Sequence, residues 1–346
     1  MSESAEERPH TPEDEPPTDG AATASSGASG GRAAAFIEAY TLLFLAVLVA
    51  LVFSLLPSTS EVFPTGANFQ AIAGGQAVLI VATLAVLIPL ICDEFDLSVG
   101  ANLGLASVVA ASAMSAGLPL IVAVVAGLVS GTLIGVVNGL LVTRVGVNAV
   151  IVTLGVSVII HGIVQLRTSG QSITEGLPDA WLNVGSESFS GIPLILLIAL
   201  VIAGLVYYLL TYTPYGRQLY MMGANRQAAK LVGLRTNWLL FSCFAVGGLL
   251  AGVAGVLQVA RAGAAAPSVG ESFTLPAFAA AFLSAAAIKP GRYNVWGAVV
   301  AIAFLAAING GLNIAGAKVY VADFVNGTAL IAGVALAVYL RRRRGA

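Results

Sequence analysis

Charge is what this sequence has least of. Only 10% of its residues are charged, where a soluble domain carries roughly 25%. Residues 97–143 contain no Asp, Glu, Lys or Arg. That run is about twice the roughly 20 residues needed to cross a bilayer as a helix, which excludes an ordinary soluble domain. Histidine and cysteine are scarce as well. His10 and His161 are the only histidines, Cys92 and Cys243 the only cysteines, and neither CxxC nor HExxH occurs. This speaks against a disulfide framework and a zinc centre. His161, alone on an apolar run, reads as a packed, hydrogen-bonded residue. The three lysines, Lys230, Lys289 and Lys318, are followed by Leu231, Pro290 and Val319. A phosphate loop of the form Gly-x4-Gly-Lys-Ser/Thr is therefore missing, and the chain does not bind ATP in that way. No paired deep carboxylates exist from which to build an enzyme, and nothing points to nucleic acid.

What is there is apolar surface, 58% of all residues, and 39 glycines. The expected class is an all-α polytopic membrane protein of about ten transmembrane helices. The spans fall at 36–56, 72–91, 97–116, 118–142, 149–166, 192–211, 239–260, 273–288, 295–316 and 320–340. The eighth is short and reads as a broken or partly re-entrant element. Residues 1–35 are acidic and rich in Pro, Ser and Gly, which predicts a disordered cytoplasmic tail. Residues 36–340 form the transmembrane domain and 341–346 a basic cytoplasmic end.

Ten spans put both termini on one side. With the N-terminus cytoplasmic, the inner segments hold Arg8, Arg32, Arg144, Arg217, Arg226, Lys230, Arg235, Lys289, Arg292 and Arg341 to Arg344, 13 of the 16 cations. Only Arg167, Arg261 and Lys318 lie outside, as the positive-inside rule requires.

Gly127, Gly131, Gly135 and Gly139 stand four apart and form a ridge along one helix face. Gly247, Gly248, Ala251, Gly252 and Gly255 repeat the device. Both read as close packing inside the bundle. The segment "VVNGLLV" around Asn138 is echoed by "AINGGLNI" around Asn309, 171 residues on. An offset of five spans reverses direction, the signature of an inverted repeat.

The longest inner loop, about 212–238, reads "YTPYGRQLYMMGANRQAAKLVGLRTN". Asn225 is suited to cap a short helix and Gly233 to stop it. Ala228, Leu231 and Val232 share one face, with Arg226 and Lys230 on another. The pattern fits a docking element for a soluble partner, or equally a helix lying on lipid headgroups.

In "CDEFDLSVG" (92–100), Asp96 directly precedes an expected helix that begins at Leu97 and includes Ser98. Asp96 and Ser98 are expected to cap that helix. Asp93 and Glu94 are expected to stand in water and to be dispensable. Uncharged polar residues inside spans are the candidates for a solute pathway: Asn102, Asn138, Thr153, Gln165, Asn309 and Asn313.

The inner loop resembles that of ribose-type permease subunits of ATP-binding-cassette importers, whose recurring form is "GRxxYxxGxNxxAAxLxGI". Gly216, Arg217, Tyr220, Gly223, Asn225, Ala228, Ala229, Leu231 and Gly233 match it. "DLSVG" (96–100), "GVNAVIVTLG" (146–155) and "RYNVWGAVVAIAFLAAINGGLNIAG" (292–316) are also similar to that family's motifs, in the same order. Two departures stand out. Asp93-Glu94-Phe95 replaces Gly-Gly-Ile, and "LSAAAIKPGRY" (283–293) replaces a glycine-rich "LGGTSLSGGRG". The resemblance implies a multi-pass permease in a prokaryotic plasma membrane, surrounded by lipid and paired with a second permease subunit. It implies import of a monosaccharide or similar polar solute, received from an extracytoplasmic solute-binding protein. A separate ATPase would dock at Gly216, Arg217, Gly223, Asn225, Arg226, Ala228, Ala229, Leu231 and Gly233. ATP and Mg would sit on that partner, with no cofactor in this chain. The outer loop 167–191, with Glu175, Asp179, Glu187 and an apolar edge at Trp181, is the candidate surface for the binding protein. The alternative is an ion-coupled secondary transporter working through Asp93, Glu94 or Asp96, since acids inside membranes are functional candidates.

Overall fold

Each charge-poor run becomes a helix. The computed structural model describes residues 27–318 and 320–343. In chain order the helices are α1 (Gly27–Leu55), α2 (Gly66–Ile91), α3 (Val99–Ser115), α4 (Leu120–Leu140), α5 (Ala149–Thr168), α6 (Asp179–Ser186) and α7 (Leu194–Tyr212). They are followed by α8 (Pro214–Ala224), α9 (Arg226–Leu231), α10 (Thr236–Ala262), α11 (Glu271–Leu283), α12 (Val295–Ile314) and α13 (Tyr320–Arg343). A π-helical turn, Leu141–Val145, prolongs α4, and a 3-10 turn, Ser284–Ala286, prolongs α11. Residues 1–26 of the expected tail and 344–346 of the basic end lie outside the described residues. Helix α1 starts at Gly27 rather than near 36. Residues Met1–Ile37 and Glu38–Ala346 are separate units, and the helical bundle belongs to the second.

All ten expected spans appear. Seven stretches are long and apolar enough to cross a membrane, and Ala39–Leu55, Val99–Ser115 and Glu271–Ala286 are shorter apolar helices. Local signals set many of the ends. The side chains of Thr65, Asn148 and Asn294 accept the N–H groups of Asn68, Val150 and Gly297 at 3.2, 2.9 and 2.7 Å, capping α2, α5 and α12. Pro89 sits in the last turn of α2. Helix α2 starts at Gly66 rather than 72, because Thr65 captures the chain before the apolar run begins.

The tightest packing is between α4 and α10. A Cβ at Gly131 would lie 2.6 Å from Gly252 Cα and 2.7 Å from Gly248 O. The two glycine series thus form a single contact in which backbone meets backbone. Most of α2 is buried, and α10 nearly so.

The 171-residue echo extends to four helices of each half. Shifted by 171, α2 falls on 237–262, α3 on 270–286, α4 on 291–311 and α5 on 320–339. The observed counterparts are α10 (236–262), α11 with its 3-10 turn (271–286), α12 (295–314) and α13 (320–343). Each helix of the second set is five spans on from its counterpart and runs opposite to it, as α2 and α10 show: Gly74 lies by Arg261, and Gly247 by Ala85 and Pro89.

The short eighth span begins inside the bundle. Ala265 bridges to Ile173 of the 167–191 loop, yet Gly270 is packed against Gly100 and Gly104 of α3. At its other end α3 meets the same loop, since a Cβ on Gly176 would lie 2.9 Å from Ser115 Cα. Roughly 16 Å of helix rise separate Gly104 from Ser115. The α10–α11 connection therefore dips far into the bundle before α11 begins.

Candidate functional site

The 212–238 loop folds into two helices. Only the second was legible as one; α8 is set by Thr213, whose hydroxyl accepts the Gly216 N–H at 3.4 Å, with Pro214 at the first helical position. The motif glycines are contact points. A side chain on Gly216 would strike the Leu210 backbone, and one on Gly223 the Ile91 carbonyl. Helix α8 is thereby pressed against the ends of α7 and α2. Tyr220 donates its hydroxyl to Tyr293 O at 2.7 Å, and the Arg292 guanidinium lies 4.4 Å over its ring. Burial pushes the Tyr220 pKa up to about 12, against the opposing influence of Arg292. It therefore stays protonated and a donor at neutral pH.

Asn225 caps α9 as the sequence predicts, accepting the Ala228 N–H at 2.9 Å. Gly233 takes the left-handed conformation, φ +84°. Ala228 is exposed, and Leu231 is 88% and Val232 66% exposed. Ala229 is different: it faces inward and is buried, and so cannot share the docking face expected of it. Arg217 is exposed on α8. Beside it lies a cavity of about 740 Å³, lined by Arg217, Tyr220, Lys289, Arg292, Tyr207 and Trp296 among others, with no carboxylate in its lining.

Sequence reasoning missed the tie between this loop and the α2–α3 turn. Arg226 donates to Glu94 at 2.7 Å, with Glu94 largely shielded from solvent. Glu94 is therefore not the water-facing acid that its position in a turn implied, whereas Asp93 is exposed. Behind the turn, Cys92 Sγ and Cys243 Sγ meet at 2.7 Å, both buried.

Asp96 also needs correcting. Helix α3 starts at Val99 with Ser98 just before it, and no side chain caps it. Asp96 is buried and accepts both the N–H (2.9 Å) and the hydroxyl (2.6 Å) of Ser98. Asn138 on α4 donates to the Ser98 hydroxyl at 2.8 Å, and the Leu97 N–H donates to Thr153 on α5 at 3.1 Å. Asp96 thus anchors a polar knot that ties α3, α4 and α5 together. Asp96→Ala would leave the Ser98 donors without this acceptor inside the protein, a loss of about 1–3 kcal/mol. Asp96→Asn keeps an acceptor oxygen. The expected result is a clearly lower thermal midpoint in detergent for Ala and a smaller change for Asn. Equal loss for both would mean that the carboxylate charge itself is required.

The six pathway candidates do not converge. Asn102 (donating to Gly131 O at 3.0 Å), Asn138 and Thr153 are buried around α3. Asn309 pairs with Asn326 at 3.4 Å, while Gln165 and Asn313 are exposed. In the 167–191 loop, Glu175, Asp179 and Glu187 are exposed. Trp181 is not part of that open surface: its indole N–H donates to Val256 O at 3.2 Å and its ring packs on the core. One further polar pair was overlooked. His161 Nδ1 on α5 lies 3.4 Å from Glu271 Oε1 at the start of α11.

Comparison with known proteins agrees with this architecture. The D-allose transport system permease protein of Escherichia coli (strain K12) is 32% identical over 297 residues, 86% of this chain and 90% of that one. The ribose import permease protein of the same strain is 30% identical over 303 residues, covering 86% and 92%. The autoinducer 2 import system permease protein of Photorhabdus laumondii is 31% identical over 263 residues, covering 74% and 76%. No solved structure matches the chain. A family model described as "branched-chain amino acid transport system / permease component" matches residues 68–334, and the chain belongs to that family of multi-pass membrane permeases.

Proposed function

We propose that the chain is the membrane subunit of an ATP-binding-cassette importer for a monosaccharide or similar polar solute. The observation that carries this reading is α9. It presents Ala228, Leu231 and Val232 to solvent while Arg226 grips the turn before α3. An exposed apolar knob on a well-capped short helix fits a groove on a cytoplasmic ATPase, which would hold the ATP and Mg. The cation-lined cavity beside it could take acidic groups of that partner. Both termini and this loop face the cytoplasm in this reading, and Glu175, Asp179 and Glu187 receive the solute-binding protein on the other side. A second copy of the chain completes the complex. The relatives' names, with D-allose, ribose and autoinducer 2, support a small polyhydroxylated solute. Two of the three acids suggested for an ion-coupled carrier have structural work: Glu94 is paired with Arg226 and Asp96 with Ser98.

Proteoliposomes holding the chain, its ATPase and its binding protein test the reading, with D-ribose and D-allose as solutes. The chain alone is expected to hydrolyse no ATP, and uptake is expected to require the ATPase and ATP on its side. Uptake by the chain alone under a pH or sodium gradient would overturn the proposal.

A further inference from the structure

We infer that His161 and Glu271 line the solute path inside the membrane and bind the hydroxyl groups of a neutral polyol as it passes. The inference rests on the permease reading above and adds residues that it does not name.

The pair is ionisable and lies within the apolar helices, where such side chains are costly against lipid. His161 lies within the spanning helix α5, roughly 10 Å of helix rise before its end at Thr168. Glu271 follows Gly270, which is packed against Gly100 and Gly104 deep along α3. Yet the His161 side chain is 50% exposed and that of Glu271 71%. Ionisable groups at such depth face a water-filled cavity or other protein rather than hydrocarbon. The same face of α5 continues the polar character, since Gln165 stands one turn further on and is exposed. Opposite this stripe on α5, Ile159 is 63% exposed and apolar, as a lipid-facing residue should be.

The chemistry suits sugar hydroxyls. A carboxylate accepts hydrogen bonds from adjacent hydroxyls, and an imidazole can donate to or accept from a third. The side chains stand close enough to address neighbouring carbons of one small ring. The second permease subunit required by the proposed function would form the opposite wall.

Cysteine accessibility in the complete complex tests this, on a Cys92→Ser/Cys243→Ser background. A membrane-impermeant methanethiosulfonate is the probe, with D-ribose or D-allose and loaded binding protein as protectants. Glu271→Cys and Gln165→Cys are expected to label rapidly and to be protected while solute is being transported. Ile159→Cys should stay unlabelled. Gln165→Cys leaves the His161–Glu271 pair intact, so it reads the path even if the Glu271 variant folds poorly. Separately, Glu271→Gln should lower solute moved per ATP hydrolysed about tenfold, as expected for losing a charged acceptor. If the background complex transports but positions 165 and 271 are unreactive, or label without protection, the inference is wrong. If that complex shows no ATP-driven uptake while its cysteine-containing parent does, the same labelling is read in the parent, whose two cysteines are buried. Failure of the parent itself overturns the importer reading instead.

Discussion

Replacing Ala228 by aspartate is expected to abolish ATP-driven uptake while leaving the chain folded in its membrane. Ala228 is the third residue of α9, and its N–H is already held by Asn225. An acid at that position favours the helix start, both for the free N–H groups and for the helix dipole. The substitution therefore has no structural reason to unfold the loop. Its effect falls on the exposed patch shared with Leu231 and Val232. Burying an unpaired charge in a small interface costs about 3–5 kcal/mol, enough to release an ATPase bound there. Uptake normalised to membrane protein level, together with co-purification of the ATPase, reads the outcome. A helix lying on lipid headgroups would lose little, so normal uptake with normal ATPase recruitment would remove α9 as the docking element. Ala229→Asp makes the contrast, because it buries the charge inside the chain and should lower the yield of folded protein.

The second large effect is expected at Gly131. Gly131→Leu puts a side chain where Gly252 Cα and Gly248 O already lie within 3 Å of the first added carbon. Those obstacles are backbone atoms of α10, so no rotamer change can make room. Inside a bilayer, helix association rests on such close packing rather than on expulsion of water. Overpacking ordinarily costs about 1–3 kcal/mol, and here two glycine-lined backbones must separate along their length. Folded, monodisperse protein should be almost lost in fluorescence-detected size exclusion. Gly204→Leu on α7 is the control: an added Cβ there meets nothing within 4 Å, and replacing glycine improves helix propensity. Comparable yield for the two variants would mean that the α4–α10 contact is not what holds the bundle.

Much of this architecture can be read from the sequence because its causes are local. Charge-poor runs find the ten spans, and the oxygen of Asn225 and the freedom of Gly233 place α9. The four-residue glycine spacing identifies one side of the α4–α10 seam. What stays hidden depends on partners far along the chain. Glu94 looks like an idle acid in a turn until Arg226 is brought to it across 132 positions. Asp96 has the chemistry of a helix cap, but Ser98, Asn138 and Thr153 recruit the segment into a buried knot and delay the helix by two residues. Trp181 looks like an exposed apolar edge because nothing nearby reveals its bond to Val256. His161 looks solitary for the same reason: Glu271 reaches it only because the connection before α11 plunges inward. Of the inverted repeat, little beyond the asparagine motif and a Ser-Val-Gly at 98–100 and 268–270 survives in the side chains, although the backbone keeps the plan over four helices of each half.

That repeat has a consequence for the sense of transport. A scaffold whose two halves share one backbone plan in opposite directions has no built-in preference for inward over outward movement. In the proposed importer the sense of movement is set by what binds the two faces, the ATPase on one and the binding protein on the other. The position equivalent to Glu271 in the first half is Gly100, and the position equivalent to Asp96 in the second is Pro267. One half thus holds its acid locked among Ser98 and Asn138, while the other offers its acid to the open face beside His161. The two halves of one framework thus differ in chemistry at the very turns where their backbones agree.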